Sequence, residues 1–143
     1  KLKLDIVTLF HSLHYIPNQI QILKKIKQKI KKDGLIVIEV PHAKDFLLQN
    51  KITQEFKKFS FHVENLIWHT KESLYKFLKC AGYKNIKISY FQRYDINNHL
   101  NWMIYGNNSK TQNFIKNKKL KELYKKKIIE NCQSDTLIAI AKN

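Results

Sequence analysis

Glycine is scarce in this 143-residue chain: only Gly34, Gly82 and Gly106 occur. None belongs to a G-x-G pattern, so the chain carries no glycine-rich loop of the kind that lets backbone approach a bound nucleotide. Cysteine is limited to Cys80 and Cys132, far apart in sequence. That removes the C-x-x-C motifs and predicts two buried free thiols. No apolar run approaches the length of a membrane span and no signal peptide is visible, so a soluble cytoplasmic protein is expected. Arginine is almost absent as well: Arg93 is the only one among 27 basic residues, which outnumber 11 acidic residues for a net charge of +16. A nucleic-acid surface favours arginine, whose planar fork suits phosphates. With Ile and Asn also abundant, the lysine excess reads as coding bias. Nucleic acid is not the expected partner, although such a charge draws polyanions weakly and in a salt-sensitive way.

What the chain does have is enough apolar residue for one domain core, 43% of the total. Leu4 to Pro41 organises it. Leu4 to Phe10 and Leu35 to Pro41 are nearly continuous apolar runs rich in Ile and Val, the pattern of parallel strands buried on both faces. Between them Ile20, Leu23, Ile26 and Ile30 recur at helical spacing, with lysines on the other face. This predicts the helical crossover that parallel strands require. Gly34 is expected to close the helix in a left-handed conformation. The first residue is Lys and lies inside a strand, so it is not expected to be a natural start.

Further on, Thr70 to Gly82 reads as a helix capped by Thr70, with Ser73 in its first turn, Glu72 favouring its amino end, Leu74, Phe77, Leu78 and Ala81 on one face and Gly82 at its end. Lys84 to Phe91 alternates as a strand. Gly106 to Gln112 is a polar loop. Lys116 to Asn131 is a lysine-rich helix with Leu120, Leu123, Tyr124 and Ile128 as its buried stripe, and Leu137 to Ala141 is a last strand.

These stretches resemble the C-terminal part of a class I methyltransferase dependent on S-adenosylmethionine. The matching residues are Asp5-Ile6-Val7, Phe10-His11-Ser12-Leu13-His14-Tyr15, Lys32-Asp33-Gly34, Ile36-Val37-Ile38-Glu39-Val40-Pro41, Ser73-Leu74, Phe77-Leu78, Ala81-Gly82-Tyr83 and Asp135-Thr136-Leu137. Gln92-Arg93-Tyr94, Asn98-His99-Leu100 and Trp102 resemble a polar-aromatic motif of one subgroup of these enzymes. The resemblance implies an α/β, Rossmann-like sheet made of the family's strands four to seven, the last one antiparallel and inserted beside the fifth. The whole chain, 1–143, would be one partial domain, with a substrate-side cap around 42–69 and 92–112.

The same resemblance implies site roles. Phe10, His11, Ser12 and Leu13 would line the methionine end of the cofactor, at the carboxyl end of the first strand, where open parallel sheets bind ligands. His14 stands where the family commonly has Glu. Past Pro41, His42 and Asp45 open a variable, substrate-facing segment, and Glu64 matches a position beside the acceptor. His62 or His99 would be the base; Asn65 replaces the family's His nearby. Arg93 would orient an anionic acceptor, since its guanidinium binds carboxylate or phosphate in bidentate fashion. Tyr94, Asn98 and Trp102 would complete the acceptor contacts, with rings suited to stacking on a sugar. No metal site is indicated. The implied activity is methyl transfer to a small acceptor, a sugar or nucleotide-sugar. Two rivals stand beside it: a non-catalytic basic α/β module binding a polyanion or protein partner, and an inactive truncated methyltransferase that lacks the main cofactor loop.

Overall fold

The computed structural model describes residues 3–107 and 111–143. Residues 1–2 of the expected first strand and 108–110 of the expected polar loop lie outside the described residues. In chain order come β1 (Leu4–Phe10), a 3-10 turn (Leu13–Tyr15), α1 (Gln19–Lys27), β2 (Ile30–Pro41), α2 (Phe46–Gln49), α3 (Gln54–Ser60), α4 (Lys71–Cys80), β3 (Lys84–Phe91), α5 (Ile96–Tyr105), α6 (Lys118–Glu130) and β4 (Thr136–Lys142). Among these residues no helix is long and apolar enough to cross a membrane.

The sheet order is β1-β2-β4-β3. β1 and β2 are parallel, joined through α1. β4 inserts between β2 and β3 and runs antiparallel to both. This is the α/β arrangement expected, including the inserted antiparallel last strand.

Alternation along β2 decides where the core sits. Ile36, Ile38 and Val40 are fully buried, and they meet Leu137, Ala139 and Ala141 of β4. Leu23 of α1 with Leu74 and Leu78 of α4 covers this face. Fully burying each such side chain contributes about 1.5–3 kcal/mol. Among the described residues the opposite face is left open. Ile6 and Phe10 are 56% and 58% exposed there, and Phe91 and Ile140 are exposed too. β1 is therefore not buried on both faces as its composition predicts; continuous apolarity reports a strand fit for burial, not the presence of a covering layer.

Local rules hold at α4. Thr70 Oγ1 accepts the Ser73 N–H at 3.2 Å and Ser73 Oγ accepts the Thr70 N–H at 2.9 Å, a reciprocal cap. Gly82 follows with φ of 87°, as expected at a helix end. Three readings are corrected. The crossover helix stops at Lys27, and Ile30 packs into the core as the first residue of β2. Cys80 and Cys132 are both free and exposed, because they fall at polar helix ends. In α6 only Ile128 is buried, while Leu120 and Leu123 are exposed.

Gly34 is the fourth correction. It lies within β2, not at a helix end, at an irregularity where Leu4 pairs with Ile30 but Ile6 pairs with Leu35. A Cβ there would sit 2.5 Å from Ile30 Cγ2 and 2.7 Å from the Asp5 carbonyl oxygen. Glycine is needed for this close approach. Gly34→Ala should lower stability by about 1–3 kcal/mol in denaturant melts, the cost of overpacking. Unchanged stability would show that the bulge yields freely.

Candidate functional site

The carboxyl ends of β1 and β2 meet the amino end of β4, and the chain converges there. His11 leaves β1 with φ of 44°, a left-handed conformation uncommon for a side chain larger than glycine. Its N–H still continues the ladder to the Glu39 carbonyl at 2.9 Å. Its Nε2 lies 2.8 Å from Glu39 Oε1 and 2.9 Å from Arg93 Nη2. Arg93 Nη2 also donates to Glu39 Oε1. One ring nitrogen cannot donate and accept at once. With a proton on Nε2, His11 donates to Glu39; without it, Nε2 accepts from Arg93. Burial, then the Arg93 charge, holds the His11 pKa below the ordinary histidine value.

Arg93 is placed by its backbone. The Asp135 carboxylate, at the start of β4, accepts the N–H of Arg93 at 3.0 and 3.1 Å and that of Tyr94 at 3.0 Å. Gln92 Oε1 accepts the Asp135 N–H at 3.1 Å.

Above these strand ends lies a cavity of about 350 Å³. His11, His14, Asp45, His62, Asn65, Trp68, Arg93, Tyr94 and Asp135 line it, with Tyr15, Phe56 and Phe59. Its roof is the segment from Phe61 to His69. The N–H groups of Leu66 and Ile67 donate to the His14 carbonyl, at 3.0 and 3.3 Å, and pin this segment to the 3-10 turn. His62 Nδ1 donates to the Phe59 carbonyl at 2.7 Å, leaving Nε2 as an acceptor with Asn65 Nδ2 at 3.5 Å.

A smaller adjoining cavity of about 90 Å³ shares Asp45, Phe56, Phe59, Tyr94 and Asp135 with it and adds Asn98, His99 and Trp102. His99 is buried and stacks on Phe46, ring centres 5.6 Å apart. Both of its nitrogens are engaged: Gln92 Nε2 is 3.3 Å from Nε2, and Nδ1 is 2.6 Å from the Tyr124 hydroxyl. Phe56 and Phe59 of α3 pack on Trp102 of α5. The segments after β2 and after β3 thus join as one layer over the strand ends.

The structure brings together His11, His62, Arg93 and Tyr94 in the larger cavity, with Asn98, His99 and Trp102 behind a shared wall. Other candidates lie apart. Phe10 is exposed on the open sheet face, and Leu13 is fully buried in the core. Ser12 borders the 3-10 turn without a side-chain capping bond. His42 is buried; its Nδ1 donates to the Ser134 carbonyl at 2.9 Å, and its ring lies beside Tyr90. Glu64 is exposed on the roof segment. A wider groove of about 600 Å³ between α4 and β3 holds none of the candidates.

Sequence reasoning assigned no role to Glu39, Asp135 or Trp68, and placed Asp45 only within the substrate-facing segment. Glu39 carried a signal: it is the one charged residue in the apolar run Leu35 to Pro41. Asp45 is buried and accepts the Leu47 N–H at 2.6 Å. Burial, reinforced by the nearby Asp135 charge, pushes its carboxyl up to about 7. Burial draws His14, His69 and His99 down to about 4.

Known proteins bear on this geometry. A family model described as a methyltransferase domain matches residues 1–88. No curated protein sequence matches the chain. Solved structures similar in fold include a SAM-dependent methyltransferase from Archaeoglobus fulgidus, at 17% identity and TM-score 0.57, covering 99% of this chain and 60% of that one. One from Thermotoga maritima aligns at 14% identity and TM-score 0.60, covering 99% of this chain and 58% of that one. The plantazolicin methyltransferase BamL, solved with a desmethyl-plantazolicin analogue and S-adenosylhomocysteine, aligns at 13% identity and TM-score 0.51, over 100% of this chain and 54% of its own. The chain thus spans between half and two thirds of these relatives.

The buried titratable groups set a pH profile. His14, His69 and His99 have folded pKa values below the unfolded 6.5, so their stabilisation is present above 6.5 and lost as pH falls toward about 4. Asp45 works the other way: its folded value is raised above 3.8, so its stabilisation is lost as pH rises toward about 7. Between these limits three groups oppose one. Melting temperature should rise from pH 4 to 6.5 and then level off, and Asp45→Asn should steepen the rise. A flat profile in thermal melts would show that these groups titrate freely in the folded chain.

Proposed function

The chain belongs to the methyltransferase-domain family, and on that footing we propose that the protein transfers a methyl group from S-adenosylmethionine to a hydroxyl of a small acceptor, a sugar or nucleotide-sugar, bound above the ends of β1 and β2. When bound, S-adenosylmethionine supplies a sulfonium methyl that an oxygen nucleophile attacks in line. The observation that carries the reading is the convergence of His11, Arg93 and His62 on one cavity at the carboxyl ends of parallel strands, with Glu39 behind His11 and Arg93, the place where open α/β sheets take their ligands.

The chain's own residues divide the work. The loop from Phe10 to Leu13 borders the methyl end of the cofactor. Its strained His11 and the unengaged Ser12 side chain fit a role at the crevice. The three glycines lie in β2 and at the ends of α4 and α5, so this chain's share of cofactor binding is confined to that loop. Arg93, held toward Glu39, orients the acceptor. His62 is the base, because its Nε2 has only a long contact with Asn65 Nδ2, whereas both nitrogens of His99 are committed. As the oxygen gains the methyl, its proton passes to His62 Nε2. The described residues of the segments 42–69 and 92–112 form the acceptor-side cap, which excludes water from the transferring methyl.

Calorimetric titration with S-adenosylhomocysteine, on this chain and on the chain extended at its amino end, tests the reading. Saturable binding by the extended form is expected; absence of binding by both would overturn it. In the active form His62→Ala should lower kcat about 10²–10⁴-fold, the usual worth of a general base, with S-adenosylhomocysteine affinity retained. Arg93→Ala should raise the acceptor KM. If Arg93→Ala leaves acceptor affinity and turnover unchanged, the orienting role is wrong.

A further inference from the structure

Among the described residues four buried side-chain atoms have no hydrogen-bond partner: His14 Nδ1, His42 Nε2, Asn65 Oδ1 and Trp68 Nε1. Three of them belong to residues in the wall of the 350 Å³ cavity. An unpaired buried polar group costs about 1–3 kcal/mol, so native interiors rarely keep one. Three in one cavity wall are not explained by core packing. His14 is 2% exposed and lies in the 3-10 turn, which the roof segment clamps through its backbone. These groups are therefore held in place without being satisfied.

We infer that this wall recognises the acceptor, and that it selects an uncharged, hydroxyl-bearing ring. Trp68 Nε1 donates to the acceptor, Asn65 Oδ1 accepts from it, and His14 Nδ1 completes the set. The assignment of the ligand as the methyl acceptor rests on the function proposed above. The recognition itself rests on the wall.

The chemistry of the three atoms narrows the ligand. An indole nitrogen can only donate. The Asn65 amide nitrogen is already spent, on the Ser60 carbonyl at 2.7 Å and His62 Nε2 at 3.5 Å, so its oxygen is left to accept. Burial keeps His14 neutral at pH 7, so it presents no charge. An anion would meet Asn65 Oδ1, and the charge of Arg93, which lines the same cavity, is balanced by Glu39. An ammonium would meet the Trp68 N–H. A hydroxyl both donates and accepts, and suits all three. Tyr15, Phe59 and Tyr94 offer half-exposed ring faces at the rim, suited to the apolar face of a sugar ring. The three atoms are shut off from water, so an occupant reaches them by moving side chains of the cavity wall.

The test follows the Trp68 indole N–H in a ¹H–¹⁵N spectrum of the chain, its resonance identified with Trp68→Phe. The probes are methyl α-D-glucopyranoside and methyl α-D-galactopyranoside, with glucuronate and inorganic phosphate as charged counterparts. A saturable shift of that resonance with an uncharged glycoside, absent with the two anions, is expected. Asn65→Leu should weaken the binding about five- to tenfold, the worth of one neutral hydrogen bond. No shift with either glycoside, or a shift driven by phosphate or glucuronate, overturns the inference. The unsubstituted chain decides this, so the result does not hinge on a variant folding. Methyl transfer to an acceptor that leaves Trp68 silent overturns the inference alone. Glycoside binding at Trp68 with no methyl transfer upholds the wall and overturns the proposed function.

Discussion

The Asp135 carboxylate holds the upper end of the sheet together. It is nearly buried, and it is tolerated there because the N–H groups of Arg93 and Tyr94 point at it. A buried carboxylate without such donors would give up its charge or its place. Its own backbone carbonyl accepts the His42 N–H at 2.9 Å, so one residue of β4 fixes the exits of both β2 and β3. The direction of Arg93 follows from this. With its backbone tied to Asp135, its side chain crosses to Glu39 and His11 at the ends of β2 and β1. Asp45, close enough to feel the Asp135 charge, has fewer donors and keeps its proton to about pH 7.

The sheet is covered on one side only. α1 and α4 bury the face that carries Ile36, Ile38 and Val40, while Ile6, Phe10, Phe91 and Ile140 stay exposed on the other. An exposed apolar face of this kind is uncommon on a monomer and normally meets a partner surface. Among the described residues β1 likewise presents a free edge, with β2 as its neighbour in the sheet. The solved relatives have additional length beyond the region this chain covers.

The cavity over the strand ends differs in character from the core beneath it. The core is aliphatic and closed. The cavity is walled by aromatic rings and by polar groups of three kinds: the Arg93 guanidinium paired to Glu39 behind it, the Asp45 carboxyl with its raised pKa, and atoms left without partners. Such mixed walls, apolar with a few placed polar groups, are typical of sites for small molecules. Their arrangement depends on the roof segment, whose backbone bonds to His14 hold Asn65 and Trp68 against the 3-10 turn.

Much of the fold was legible in the residues. The strands, the crossover and the capped α4 follow from period, apolarity and caps, which act within a few residues of one another. The motif around Arg93, and His11 and His62, were singled out as separate stretches of sequence; that they line one cavity appears only in the fold. Gly34 was misread because its constraint is a contact with Asp5 and Ile30 across the sheet, which no local rule contains. Glu39 and Asp135 were missed because their shared partner, Arg93, lies 54 positions from the one and 42 from the other. The sequence by itself determined which segments form strands and helices, because those preferences are local. Only the tertiary structure decided which side chains share the cavity and which polar atoms go unpaired, because hydrogen-bond satisfaction depends on groups brought together by packing.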